Sequence, residues 1–517
     1  MNPMLSDAIR EMVERIDAAE EAARSVVSSE GISEVNRIVS KAAGFYEKLR
    51  YLIDYREEHT IRRAALERIL KRRVFIEQKA ESGFVLLQEL VDGKYIAKEQ
   101  ATEDAARDID IIIGKYLELR RVASANGVVG KRLVSFAATE IDARLSPLEY
   151  AIDHEVTEAF FRTMKGHVSV PGFSEEDINI QLYAACWRAL LAADNDRLAY
   201  ALWLLYVPEW KGATDLGDIA AKLPDIAHRI RAGIEDTLQW QIAPKIKNES
   251  IYFRIIREVI HKYGVNAGRV LGNARELDDH AREFLEATYE RENERIQSSG
   301  IRAVIYLFFT KMTVALVLEL PYELFILGGI NYIPLSINIL FHPLLLFALT
   351  RRAGSLDETN TEAIIRGIHG ILYEGKARSI RVRTGYTQLS LIFGVAYILL
   401  LFLVFGGLIG ILQLMAFNPV SIVLFMFFLA LVSYFAFRIR YQARRWKVIE
   451  DQRSLAIIAG VLAIPIVRTG RWLSNTFSSI NIFVIILDFI IETPFKRILN
   501  FSNQFMLYLK DKGDEMR

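Results

Sequence analysis

Three ionisable residues in the apolar C-terminal part of the chain have types and spacing that could support chemistry. Lys311, Glu319 and Glu323 are separated by eight and four residues, so on a continuous helix all three lie near one face. Ionisable side chains at membrane depth are costly, and they commonly pair with one another or line a pathway. These three residues are therefore the candidate intramembrane polar site.

A second interpretation of these residues also fits the sequence. Pro321 lies between the glutamates and loosens the helix, and both carboxylates could sit at the outer headgroup boundary, where charges cost less. If the helix continues past Pro321, Lys311 lies nearer the cytoplasmic face, where its side chain can extend to water. An internal polar path and a boundary position are both open at this stage.

The elements that must hold these residues are membrane helices, each of which needs about 20 apolar residues to cross about 30 Å of hydrocarbon. Residues 301–350 predict a first hairpin with a turn near Gly328, and residues 389–437 predict a second with a turn at Asn418–Pro419. The sequence thus predicts four spans arranged as two hairpins.

The distribution of basic residues predicts the orientation. Residues 351–388 contain seven Lys or Arg, and the residues after Phe437 are also basic, whereas the two opposite turns have none. Because Lys and Arg stay on the cytoplasmic side, both termini are predicted to be cytoplasmic, at the inner or plasma membrane if the protein is bacterial. Candidate contacts with an anionic inner leaflet are Arg378, Arg381, Arg383, Arg444, Arg445, Trp446 and Trp472.

Several further helices are predicted to lie at the inner membrane surface. The basic loop 351–388 contains an amphipathic helix whose apolar face comprises Ile364, Ile365, Ile368, Ile371 and Leu372. In the basic segment 438–517, the apolar stretches 455–467 and 480–491 have about 13 residues each and are too short to span comfortably. We expect these two stretches to be interfacial or re-entrant.

The N-terminal part is predicted to be cytoplasmic because charged residues such as Asp7, Arg10 and Glu11 interrupt any signal peptide. It is predicted to be helical because apolar residues recur at intervals of three and four, as in Ile32, Val35 and Val39. A Gly and Pro cluster at 166–172, followed by a helix start at Ser174, divides it into helical regions 1–165 and 174–272. Residues 273–300 are charged on nearly every face and predict a helical stalk with a joint at 298–300. The overall prediction is an all-α protein: a cytoplasmic helical bundle region followed by a polytopic α-helical membrane domain.

Composition excludes several classes of function. From residue 301 onward there are 22 Lys and Arg against 13 Asp and Glu, so the remainder of a chain with net charge +1 is acidic, which argues against nucleic-acid binding. The single cysteine, Cys186, allows no intrachain disulfide and predicts a core residue. Glu258 and His261 form one Glu-x-x-His pair, where a dimetal bundle needs two, so no metal or other cofactor is predicted.

Two functions fit these features. The first is a membrane-tethered helical interaction or scaffold protein at the cytoplasmic face, with unidentified protein partners. The alternative is an oligomeric channel or small transporter with a polar path near Lys311, Glu319 and Glu323. Gly406 and Gly410 form a Gly-x-x-x-Gly pair that permits close helix packing and a homo-oligomer. No catalytic constellation favours an enzyme.

Overall fold

A computed structural model of the protein describes residues 4–25, 58–72, 83–123, 127–351, 358–382, 389–449 and 454–479. Within these ranges the fold is all-α, as predicted, apart from one pair of two-residue strands. The chain divides into two compact units. We call Met1–Leu285 with Glu358–Gly385 the first unit, and Glu286–Asp357 with Tyr386–Arg517 the second unit. The segment around Ile32 and Val35 lies outside the described residues.

The first unit is a helical assembly whose elements follow the predicted three-and-four periodicity. Its helices are α1 (Asp7–Ser25), α2 (Glu58–Leu70), α3 (Gly83–Asp92), α4 (Glu103–Val122), α5 (Gly127–Leu145), α6 (Pro147–Met164), α7 (Glu175–Leu191), α8 (Asn195–Tyr206), α9 (Gly217–Glu235), α10 (Leu238–Ile242), α11 (Lys247–Tyr263) and α12 (Ala267–Leu271). The strand β1 (Val168–Ser169) lies between α6 and α7. Both predicted regions, 1–165 and 174–272, belong to this one unit.

Short polar side chains fix several of the helix starts. Thr102, Ser174 and Asp194 each accept a hydrogen bond from the backbone N–H three residues later, at the beginnings of α4, α7 and α8. Such a cap satisfies a backbone donor that has no partner inside the helix. The predicted helix start at Ser174 is confirmed.

Aromatic side chains fill the core of the first unit. Trp187, Trp203 and Trp210 are fully buried, and the indole N–H of Trp210 donates to Glu140 Oε2 at 2.7 Å. Cys186 is buried, in agreement with its prediction as a core residue. Trp240 differs from the other three tryptophans because 56% of it is exposed.

A buried carboxylate ties three helices of the first unit together. Asp153 of α6 is 2% exposed, and its two oxygens accept hydrogen bonds from Arg257 Nε of α11 and Arg197 Nη2 of α8, both at 2.5 Å. Charged hydrogen bonds of this kind are stronger than neutral ones. Asp153 therefore links α6 to α8 and to α11 through two charged hydrogen bonds.

The loop between the two predicted hairpins is part of the first unit. It forms helix α16 (Glu358–Leu372) and strand β2 (Ile380–Arg381), which pairs in parallel with β1. The apolar face predicted to lie on the membrane is buried against α11 and its neighbours, including Ile364, Ile368 and Leu372. The helix is therefore present, but its membrane-lying position is wrong, because an apolar face that fits lipid also fits a protein core.

Glu249 gives a testable consequence of burial in the first unit. It lies in the first turn of α11, is 4% exposed, and its Oε2 has no hydrogen-bond partner among the described residues. Burial raises the pKa of the Glu249 carboxyl, against smaller opposing effects of its own backbone N–H and Arg378. A raised folded-state pKa favours folding at low pH, and this contribution is lost as the pH rises through the folded-state pKa.

We therefore expect Glu249→Gln to raise the melting temperature at pH 7. The difference from the parent should shrink as the pH falls and be nearly lost at about pH 3, below the unfolded-state pKa of about 4.3, where the carboxyl is largely protonated in both states. Thermal melting of the detergent-solubilised chain at both pH values measures this. The exposed Glu209→Gln is the control, and a Glu249→Gln melting temperature equal to or below that of the parent at pH 7 would contradict the expectation.

The second unit contains helices α13 (Ala274–Val314), α14 (Leu320–Tyr322), α15 (Tyr332–Arg351), α17 (Leu389–Leu414), α18 (Pro419–Ala443) and α19 (Ser454–Ser479), of which α13 begins in the first unit. Four helical segments are long and apolar enough to cross a membrane: Ala274–Leu327, Tyr332–Thr350, Ile392–Leu414 and Pro419–Tyr441. These correspond to the four predicted spans. Helix α13 runs without a break through the joint predicted at 298–300.

Helix α19 packs beside the middle of α18. A Cβ atom on Gly470 would lie 2.0 Å from the carbonyl oxygen of Ala430, so the two backbones are in direct contact and only glycine fits. Ile466 packs against the apolar cluster around Phe425 and Leu429. The guanidinium of Arg468 lies 4.9 Å from the ring centre of Tyr397 in α17.

This packing bears on the prediction for residues 455–467. A helix lying flat at the interface would not have its centre in backbone contact with the middle of a span, so the interfacial alternative does not fit α19, and the re-entrant alternative stays a prediction. The sequence suggested a surface position because Arg468 and Arg471 follow the apolar stretch. The second stretch, 480–491, lies outside the described residues.

Candidate intramembrane polar site

The helix that carries the three candidate residues changes its geometry around Pro321. Two π-helical turns, Ala315–Glu319 and Glu323–Leu327, flank the short α14 that contains this proline. Proline lacks an N–H and clashes with the carbonyl four residues earlier, which disrupts regular α-helical bonding. π-helical turns occur frequently at functional sites. The first of these turns ends at Glu319, and the second begins at Glu323.

Lys311 and Glu319 are joined through an asparagine of the neighbouring span. Lys311 Nζ donates to Asn338 Oδ1 at 2.5 Å, and Asn338 Nδ2 donates to Glu319 Oε2 at 2.8 Å. All three side chains are 1% exposed. The amide thus presents its acceptor to the ammonium and its donor to the carboxylate, an orientation that suits opposite charges on its two sides.

The start of α18 holds both carboxylates. Ser421 Oγ donates to Glu319 Oε1, and Asn418 Nδ2 donates to Glu323 Oε1 at 2.9 Å. Asn418 Oδ1 in turn accepts the backbone N–H of Ser421 at 2.8 Å, and the backbone N–H of Asn331 donates to Glu323 Oε2 at 3.0 Å. The partial positive charge of a helix N-terminus favours carboxylates in this position.

One face of α18 completes the site. His342 of α15 is fully buried, with Nε2 3.0 Å from the carbonyl oxygen of Phe425 and Nδ1 3.3 Å from that of Asn338. The Lys311 ammonium lies 4.4 Å from the ring centre of Phe428, within cation–π range. The contacting residues are Asn418, which directly precedes α18, and Ser421, Phe425 and Phe428 within it, whose intervals of three and four place them on one side of the helix.

We call this continuous set the polar network: Lys311, Asn338, Glu319, Ser421, Asn418 and Glu323. The structure connects all three residues selected from the sequence through hydrogen bonds and buries both glutamates. The polar network contains two carboxylates and one ammonium, so the ionised site carries excess negative charge. Such a site attracts cations in preference to anions.

Sequence reasoning missed the neutral partners. Asn338 and His342 are polar residues four apart in an otherwise apolar span, which is a usable signal because polar side chains inside spans face the bundle interior. Asn418 was interpreted only as a turn residue, although it also caps α18. Ser421 had no distinguishing feature, since single serines are common in spans.

The candidate lipid-contact residues have different positions. Arg378 and Arg381 are exposed in the first unit, and Arg381 lies on β2 opposite Ser169. Arg444, Arg445 and Trp446 form a single 3₁₀ turn directly after α18, where a membrane boundary is expected. Trp472 lies on α19, two residues after Gly470, and Gly470 contacts Ala430 at the middle of α18. This position does not fit an interfacial anchor. Arg383 lies outside the described residues.

Gly406 and Gly410 lie on α17, and a Cβ atom on either would meet no atom within 4 Å. Within the described residues these glycines therefore mediate no close helix contact in one chain. In that same part of the chain, no group of three or more His, Cys, Asp or Glu side chains is arranged to hold a metal ion.

Comparisons with known proteins give no family assignment: no protein-family model, no curated protein and no solved structure matches this chain.

Proposed function

We propose that the protein is a membrane transport protein that conducts or carries a small monovalent cation, with the polar network as its ion site. The single observation that supports this proposal is the burial of one ammonium and two carboxylates between three helices of the second unit. Ionisable groups at membrane depth are typical of ion pathways and proton relays. The excess of carboxylate over ammonium favours a cation.

The connectivity of the first unit supports the hairpin topology on which the proposal depends. This unit is assembled from residues before the first hairpin and residues between the two hairpins. Both parts must lie on one side of the membrane, so the intervening segment crosses it an even number of times. We assign that side to the cytoplasm and its anionic leaflet because the loop 351–388 is basic.

Oligomerisation follows from the small number of spans. Four helices are few for a complete pathway, and the open glycine face of α17 at Gly406 and Gly410 is suited to close packing with another copy. A homo-oligomer is therefore part of the proposal.

Flux measurements test the proposed function. The full chain is reconstituted in liposomes, and H⁺, Na⁺ and K⁺ flux is measured for the parent, Glu319→Gln and Glu323→Gln. Because each substitution removes one charge and keeps the side-chain size, we expect flux to fall about tenfold or more, equivalent to about 1.4 kcal/mol in the barrier.

The matched control is Thr310→Ala, because Thr310 adjoins Lys311 but is only half-buried, and its hydroxyl donates an exposed hydrogen bond to the Tyr306 carbonyl of its own helix. It should retain the parent flux. Size-exclusion profiles confirm that each variant is folded. Parent vesicles no more permeable than protein-free vesicles, or unchanged flux in both glutamine variants, would refute the proposal.

An interaction role for the first unit is the second candidate, favoured by its size and by exposed apolar side chains. More than half of the chain belongs to it, and Ile111 and Trp240 are more than half exposed. Aromatic and aliphatic side chains of this kind anchor protein interfaces. Crosslinking in cells from cysteines placed at these two positions should capture a partner, and the absence of any crosslinked species argues against this role.

A further inference from the structure

Each carboxylate oxygen of the polar network already accepts a hydrogen bond. Glu319 accepts from Ser421 Oγ and from Asn338 Nδ2, one donor to each oxygen. Glu323 accepts from Asn418 Nδ2 and from a backbone N–H, again one donor to each oxygen. Donor hydrogens, which carry partial positive charge, therefore point at all four oxygens and leave them poorly placed to bind a metal cation.

The amide oxygens of the network are occupied in the same way. Asn338 Oδ1 accepts from the Lys311 ammonium at 2.5 Å, and Asn418 Oδ1 accepts the backbone N–H of Ser421 at 2.8 Å. A sodium or potassium ion gives up its hydration shell only where several oxygen atoms replace it. Such a shell would form here only if the ammonium and both amide groups turned away from the oxygens. A proton needs one oxygen lone pair and no shell, so it fits the network as it stands.

The charge of the network also matches one proton. One ammonium and two carboxylates give a net charge of −1 when all three are ionised. A single bound proton brings this charge to zero, and a neutral site costs less at membrane depth than a charged one. The other titratable groups of the site are Lys311, Glu323 and His342, whereas the described contacts between the start of α18 and the carboxylates come from neutral side chains.

The two glutamates differ in the partners that a bound proton would meet. A hydroxyl has one donor and two acceptor lone pairs, so Ser421 Oγ can rotate its hydrogen away and accept from a protonated Glu319. The described partners of Glu323 are an amide NH₂ and a backbone N–H, which only donate. A proton placed towards either of them would face another hydrogen. The hydrogen bonds therefore suit Glu319 in both protonation states and Glu323 in the ionised state.

We propose that the transported ion is a proton, that Glu319 is the residue that binds it, and that Glu323 stays ionised. This proposal rests on the proposed transport function. In the binding step, a lone pair of Glu319 Oε1 forms an O–H bond with a proton delivered from water on one side of the membrane, and the Ser421 hydroxyl turns from donor to acceptor. Release to water on the other side breaks the same O–H bond and restores the carboxylate. No electron is transferred, so the step needs no further reactant.

Ion selectivity in liposomes tests the identity of the ion. The full chain is reconstituted, H⁺ flux is followed with a trapped pH-sensitive dye, and Na⁺ and K⁺ uptake are measured with radioactive tracers. We expect H⁺ flux above that of protein-free vesicles, and Na⁺ and K⁺ uptake no higher than in those vesicles. Na⁺ or K⁺ uptake above that level would refute the proton assignment while leaving transport intact. Absence of flux for all three ions would instead refute the proposed function.

Infrared spectroscopy of the reconstituted chain tests which glutamate binds the proton, without relying on flux. A protonated carboxyl has a C=O stretching band that a carboxylate lacks, and the difference between parent and variant spectra isolates the contribution of one side chain. As the pH is lowered, we expect a protonated-carboxyl band in the parent and in Glu323→Gln that is missing from Glu319→Gln. A band that is lost from Glu323→Gln and kept in Glu319→Gln, or kept in both variants, would refute the assignment to Glu319.

Variants of Ser421 test its hydroxyl. Ser421→Ala leaves a protonated Glu319 without this acceptor at a buried position, so we expect H⁺ flux to fall by about tenfold or more. Ser421→Thr keeps the hydroxyl and should retain the parent flux, which separates hydrogen bonding from packing. Ser336→Ala, which removes an exposed hydroxyl from α15, is the matched control. Parent flux in a folded Ser421→Ala variant would refute the role of Ser421, and if the Ser421 variants fail to fold, the infrared comparison alone decides.

Discussion

Replacement of Asp153 by alanine is expected to destabilise the first unit by about 3–5 kcal/mol, the usual cost of removing one partner from a buried ion pair. The carboxylate is 2% exposed and bonds to both Arg197 and Arg257. Without it, two guanidinium groups remain close together with little access to water. Both the loss of charged hydrogen bonds and the repulsion between the arginines lower the free energy of unfolding.

Guanidinium unfolding of the detergent-solubilised chain measures this effect. Tryptophan fluorescence reports on the first unit because Trp187, Trp203 and Trp210 are buried there. Asp108→Ala is the matched control: Asp108 pairs with Arg144 across α4 and α5, but both side chains are about one-third exposed. A pair of that kind is worth about 0–1 kcal/mol. Similar losses for the two variants would contradict the burial argument.

The Asp153 cluster also shows why the first unit was only partly predictable. Its residues, Asp153, Arg197 and Arg257, are up to 104 positions apart, and each has the composition of an ordinary exposed helix residue. Helix type and helix starts are local properties, so apolar periodicity and the cap at Ser174 were sufficient to predict them. The pairing of distant charges depends on tertiary packing, for which one sequence contains no local signal.

Helix α16 illustrates the same limit for apolar surfaces. Ile364, Ile368 and Leu372 recur at helical spacing and share one apolar face, but periodicity specifies only that a face avoids water. Lipid and a protein core satisfy that requirement equally. The nearby basic residues favoured lipid, whereas the structure buries the face against α11.

The membrane half was more predictable, because the hydrocarbon core sets a length and charges inside it are rare. The four spans and the residues Lys311, Glu319 and Glu323 follow from these two rules. Helix α19 did not follow, since Arg468 and Arg471 interrupt its apolar run at the position where Gly470 contacts Ala430. The close approach of two backbones depends on a single glycine, which no length or charge rule detects.

The last prediction concerns the charge pairing inside the polar network. Lys311→Met keeps the length of the side chain but removes the ammonium that Asn338 links to Glu319, so a buried carboxylate loses its counter-charge. We expect a loss of stability of about 3–5 kcal/mol. Thr310→Ala, which removes only an exposed intrahelical hydrogen bond of a half-buried side chain, should remain within about 0.5 kcal/mol of the parent.

A double-mutant cycle identifies the partner of Lys311. Lys311→Met/Glu319→Gln neutralises both ends of the Asn338 bridge, so it should be more stable than the sum of the single effects implies, with a coupling of about 0.5–3 kcal/mol. Lys311→Met/Glu323→Gln should show weaker coupling, because Glu323 bonds to Asn418 and to the Asn331 backbone. Unfolding in detergent of the full chain, measured for the parent, the three single variants and the two double variants, gives both coupling energies. Additive effects for the Glu319 pair, or equal coupling to both glutamates, would show that Lys311 does not serve as the specific counter-charge of Glu319.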